Sequence, residues 1–114
     1  MLLDYMLVKL RELVEQLQVY PERMRQNLAL TKGLYHSQSV LLALTRAGAE
    51  RKSAYEAVQR AAMNTWKGEG TFAENAKRDP EITSRLSAAA IDQLSSLDVH
   101  FQHVDATFRA LGLE

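Results

Sequence analysis

Tyr20-Pro-Glu-Arg-Met-Arg-Gln-Asn-Leu-Ala-Leu-Thr-Lys-Gly33, continuing as Leu34-Tyr-His-Ser-Gln-Ser-Val-Leu-Leu-Ala-Leu44, reads as one helix, a stop, and a second, more apolar helix. Pro21 suits a first helical position, because its ring presets φ and it has no N–H to leave unpaired. Glu22 then opposes the positive end of the helix. Met24, Leu28 and Leu30 supply the apolar face. Gly33 fits the position just past the helix end, where a left-handed backbone is cheap only without a Cβ. From Leu34 to about Ala47 the chain is apolar over much of a helical circumference, the pattern of a helix central to its core. Gly48 ends it.

Upstream, Leu3, Met6, Leu7, Leu10, Leu13, Val14 and Leu17 recur at alternating steps of three and four, a narrow heptad seam running to about Gln18. No Ser, Thr, Asp or Asn cap precedes this pattern, which is already running at residue 2. It reads as the end of a longer helix. Downstream, a fourth helix is expected from about Lys52 to Lys67, with Tyr55, Val58, Ala62 and Trp66 along one side. Ser53 with Glu56 matches a capping box, and Glu50 offers an earlier start. Thr71 with Glu74 is a second capping box, opening a short helix to about Arg78. Asp79-Pro80-Glu81 is the next helix opening, leading to Ile82 and Leu86, and Ser87 caps a further short helix carrying Ala90, Ile91 and Leu94. The last segment, about Ser96 to Leu111, carries Leu97, Phe101, Val104, Phe108 and Leu111 at steps of four and three, the signature of one amphipathic helix. No stretch alternates with the period of a strand. The expected class is therefore all-α: a compact multi-helix domain with the end of a long bundle helix at its N-terminus.

The bulk composition removes several functions. The 114 residues suit one domain with a modest core. Acidic and basic residues balance at 14 each, whereas a nucleic-acid footprint needs a clustered basic excess. Cysteine is absent, which excludes disulfides, thiol catalysis and thiolate metal sites. The longest strongly apolar run, Val40 to Leu44, falls far short of the ~20 residues of a membrane helix. Asp4, Lys9, Arg11 and Glu12 break up the N-terminal apolar residues, unlike a signal peptide. The cytosol is the expected compartment.

Little of the remaining chemistry is recognisable. His100 and His103 stand three apart on one segment, but a zinc pair on a helix is usually four apart and needs further ligands. They read as surface or subunit-contact histidines, and no metal is expected. His36 adjoins Ser37, yet no carboxylate orienter or nucleophile elbow accompanies them. Arg23, Arg25 and Lys32 form a small basic cluster. It suits a phosphate or carboxylate contact; the plainer reading is a solvated helix face neutralised by Glu22. Trp66 and the methionines fall at helical spacing and read as core or interface filling.

Four pieces of this sequence, in order, resemble the C-terminal region of the adenylosuccinate lyase family, within the fumarase/aspartase superfamily. They are Val19 to Leu28 (Val-Tyr-Pro-Glu-Arg-Met-x-x-Asn-Leu), Gly33 to Leu44, Ala54 to Arg60 (Ala-Tyr-x-x-Val-Gln-Arg), and His103 to Phe108 (His-Val-Asp-x-x-Phe). The start, Leu2 to Leu7, is similar to the final helix of the family's central bundle. Glu50 stands where the family usually has Ser or Thr, and Ser39 replaces a frequent Arg. Sibling carboxymuconate cycloisomerases share the middle of the pattern but are less expected to show the His-Val-Asp-x-x-Phe ending.

The resemblance implies a homotetrameric lyase of purine synthesis, without a cofactor, that eliminates fumarate from adenylosuccinate and from the succinyl-carboxamide ribotide one stage earlier. The family's acid is a histidine of the central region. Its base is a serine on a loop with a Ser-Ser-x-Met-Pro-x-Lys-x-Asn signature. Neither has a counterpart here, so no catalytic residue is carried over and no substrate contact is expected from this segment. Arg23, Arg25 and Ser37 are the only candidates for such a contact. The implied division is 1–19, the end of a bundle helix, and 20–114, the C-terminal helical domain. Its expected partners are the rest of the lyase chain and its tetramer, with no nucleic acid and no membrane. By itself the segment is expected to self-associate through residues 2–17 or to fold that helix back on the domain. A stand-alone helical interaction module, or the C-terminal domain of a sibling enzyme, are the alternatives.

Overall fold

A computed structural model of the chain describes residues 1–113. Every regular element among them is helical: α1 (Leu2–Glu15), α2 (Pro21–Leu30), a 3-10 turn (Leu34–His36), α3 (Ser37–Arg46), α4 (Arg51–Trp66), α5 (Phe72–Arg78), α6 (Pro80–Thr83), α7 (Ala88–Leu94), α8 (Asp98–Phe101) and α9 (Val104–Ala110).

Local chemistry explains the starts of α5, α6 and α7. Thr71 and Glu74 close a full capping box: the Thr71 hydroxyl accepts from the Glu74 N–H at 3.3 Å, and the Glu74 carboxylate accepts from the Thr71 N–H at 2.8 Å. Asp79 caps α6, its Oδ1 accepting from the N–H groups of Glu81 at 3.0 Å and Ile82 at 3.3 Å. Ser87 Oγ accepts from the Ala90 N–H at 3.2 Å and opens α7.

The core lies in α3 to α7. Val40 and Leu44 of α3, Ala54, Ala57, Val58 and Ala61 of α4, Phe72 and Ala76 of α5, Ile82 of α6 and Ile91 of α7 are buried together. Helix α4 is central and packs on α3, α5 and α6. Outside this block the chain is extended. Helices α1, α2, α8 and α9 bury no residue. The radius of gyration is 19.6 Å, against about 13 Å for a compact chain of this size.

Several expectations are corrected. Helix α1 stops at Glu15 rather than Gln18, and it does not fold back on the core: Leu3, Leu7, Leu10, Leu13 and Leu17 are all more than half exposed. Helix α2 ends at Leu30, and both Lys32 (φ +49°) and Gly33 (φ +83°) are left-handed. This pair reverses the chain so that the Lys32 carbonyl accepts from the Phe72 N–H at 2.9 Å, fixing the turn to the start of α5. The expected continuous helix from Leu34 therefore begins as a 3-10 turn. Glu50, not Ser53, is the N-cap residue of α4, and the Ser53 hydroxyl bonds the Glu81 carboxylate instead. The buried face of α4 is also rotated from the expected one. Its alanines let α3 and α5 approach closely, which leaves Tyr55 and Trp66 outside. The last amphipathic segment is broken between Phe101 and Val104 into α8 and α9.

Candidate functional site

Two hollows flank the turn at residues 31–36. The larger, about 560 Å³, is lined by Leu30, Thr31, Lys32, Leu34, Tyr35 and Trp66, together with Thr65. Trp66 is 78% exposed, so it is a wall of this hollow and not part of the core. The smaller, about 230 Å³, lies across the turn and is lined by Lys32, Gly33, His36, Thr71 and Ser95, with Tyr35 and Ala73. No carboxylate lines either one.

The left-handed pair at Lys32 and Gly33 positions this site. It brings His36 inward, where the residue is only 3% exposed. The imidazole is held between two rings, Tyr35 at a centroid distance of 4.1 Å and His100 of α8 at 6.0 Å. Burial lowers the His36 pKa below its ordinary 6.5, and the nearby His100 lowers it further. His36 Nδ1 and Ser95 Oγ are both buried with no hydrogen-bond partner among the described residues. His36 thus has no bond to Ser37, which lies partly buried beside Gln38, Leu41 and Tyr55.

The basic cluster does not assemble. Arg25 Nη1 is 3.0 Å from Glu22 Oε2, and both side chains are about three-quarters exposed. Arg23 is exposed on the same helix, while Lys32 belongs to the hollows, which neither arginine lines. His100 faces His36, and no group of three histidines, aspartates or glutamates among the described residues is arranged to hold an ion.

Two polar networks join residues far apart in the sequence. Arg60 Nε donates to Asp79 Oδ2 at 3.0 Å and its Nη2 to Glu81 Oε2 at 3.2 Å, tying α4 to the opening of α6. These hydrogen bonds hold the Arg60 pKa above its ordinary value. In the interior, Asn75 Nδ2 donates to Thr65 Oγ1 and to the Thr71 carbonyl, each at 3.1 Å. Both networks fasten helices together. Neither presents an acid and a base within proton-transfer reach of an open cavity, which elimination or hydrolysis needs.

Comparison with known proteins gives the frame for these features. The sequence model of a family described as adenylosuccinate lyase C-terminus matches residues 33–111. Among curated proteins, the chain is similar to the adenylosuccinate lyase of Bacillus subtilis, at 41% identity over 97% of this chain and 26% of that protein. It is 40% identical to that of Thermotoga maritima over 98% of this chain and 26% of the relative. It is 44% identical to that of Aquifex aeolicus over 80% of this chain and 21% of the relative. Nearly all of this chain is matched, yet it spans only about a quarter of the length of these relatives.

Proposed function

Because this chain belongs to the adenylosuccinate lyase family, through its C-terminal domain, we propose that it is the structural, active-site-covering part of a fumarate-releasing C–N lyase. The parent reaction removes a proton from the succinyl carbon, breaks the C–N bond and protonates the departing nitrogen. Its substrates would be adenylosuccinate, giving AMP and fumarate, and the succinyl-carboxamide ribotide, giving the carboxamide ribotide and fumarate.

One observation carries this reading: the apolar seam of α1 stays in water while α3 to α7 close a core without it. A stripe of that kind has a partner. Burying half of its large side chains is worth about 5–9 kcal/mol at the usual 1.5–3 per fully buried residue. That matches the whole net stability of an ordinary domain, ~5–15 kcal/mol. The partner we assign is the rest of the lyase chain, a helical bundle in which residues 1–19 are the end of one helix and residues 20–114 the domain docked on it. The same bundle would carry the homotetramer and the reacting groups. A cytoplasmic setting without membrane or nucleic-acid partners fits the zero formal charge and the absence of any helix long and apolar enough to cross a membrane among the described residues.

No residue of this chain receives a catalytic role. Arg23, which makes no ion pair among the described residues, and Ser37 remain candidates for an anion contact at the rim, while Arg25 is already paired with Glu22. The purified chain is expected to release no fumarate from adenylosuccinate above the buffer rate, followed by ultraviolet absorbance. Turnover by these residues alone would overturn the assignment.

A further inference from the structure

The C-terminal helices hang on the core by little. Among the described residues, the hydrogen bonds of residues 98–113 stay within the segment or reach back only to Leu97 and Ser96. No ion pair involves them. Neither α8 nor α9 buries a residue. A ring contact joins the segment to the core: His100 lies over the buried His36 with centroids 6.0 Å apart and planes inclined by 24°.

That contact is made of two titratable groups with no acid between them. On the core side the neighbours are Lys32, Ser95 and Thr71 around the smaller hollow, and the Tyr35 ring. On the segment's side, the Asp98 carboxylate accepts from Ser96 Oγ at 2.8 Å, and His103 stands at the break between α8 and α9. Two neutral imidazoles stack favourably. Two imidazolium ions at this distance repel.

We propose that the His36–His100 contact is a proton-operated clasp, holding residues 98–110 on the core when both rings are neutral and releasing them when the rings are charged. The linkage has a definite sign. Burial and then His100 hold the clasped His36 below its ordinary 6.5, so the clasped state binds fewer protons than the released one. The clasp is at full strength above about pH 6.5 and weakens as pH falls from there through the depressed value.

The test is amide exchange of the 114-residue chain, resolved by NMR between about pH 5 and 8, where histidine changes charge, and corrected for intrinsic rates. Protection in residues 98–110 is expected to fall several-fold toward the acid end while α4 keeps its protection. His100→Phe preserves a ring without a proton to gain, and His100→Gln preserves a neutral polar group. Both variants are expected to keep the segment protected at every pH. Three results would each overturn the clasp: protection of 98–110 that does not follow pH, the same pH response in both variants, or loss of α4 protection in step with the segment.

Discussion

Gly33 adopts φ +83°, beside a left-handed Lys32. A Cβ built on Gly33 would meet only ordinary contacts, Phe72 Cβ at 3.8 Å and His36 Cδ2 at 3.9 Å. The cost of Gly33→Ala therefore comes from the backbone and not from crowding. It is expected to destabilise the core by about 1–2 kcal/mol, read as a lower urea midpoint at unchanged slope. A midpoint equal to that of the parent chain would contradict the assigned geometry. The need for Gly33 was legible in the sequence, since few residues tolerate that conformation. The left-handed Lys32 was not, because nothing in a lysine side chain announces it. The Phe72 N–H bonded to its carbonyl, from an element far along the chain, holds it there. His36 was equally opaque. Its adjacency to Ser37 suggested a pair to be weighed, while its actual neighbour is His100.

At the scale of elements, caps were the most readable features. Thr71, Asp79 and Ser87 each accept the backbone hydrogen bonds that their side chains advertise. Asp79→Ala is expected to cost about 1–2 kcal/mol, because it removes the α6 cap along with the Arg60 contact on a side chain only 9% exposed. Asp79→Asn, which still caps, should recover most of that loss in thermal melts. Equal losses for the two would show that the carboxylate charge, and not the cap, is what matters. The rotated face of α4 was less readable. Helical periodicity offered Tyr55, Val58, Ala62 and Trp66 as one stripe, but close approach of α3 and α5 favours the alanine stripe of Ala54, Ala57 and Ala61. The break after Phe101 had no local signal, as neither Gly nor Pro lies there. It falls next to the His100 contact, where the segment is tied to the core.

The whole molecule is a small core with two unburied ends, 61 Å along its longest axis. In isolation, we expect the α1 seam to drive self-association, so that sedimentation shows a species heavier than the 12.9 kDa chain at raised concentration. Leu7→Lys combined with Leu10→Lys should restore a monomer. The melting of the core should be unchanged, because α1 lends it no buried residue. A parent chain that sediments as a monomer at every concentration would remove the basis for that expectation. The all-α class, the capped helix starts of α5 to α7 and the apolar seam are readable from the order of residues alone. Those follow from hydrogen bonds and side-chain spacings within a few residues, which a linear reading sees. Which stripe of α4 is inside, where the last helix breaks, and the meeting of His36 with His100 come instead from the folded arrangement. Those depend on how separately formed helices pack, and packing joins residues whose distance along the chain carries no information about their contact.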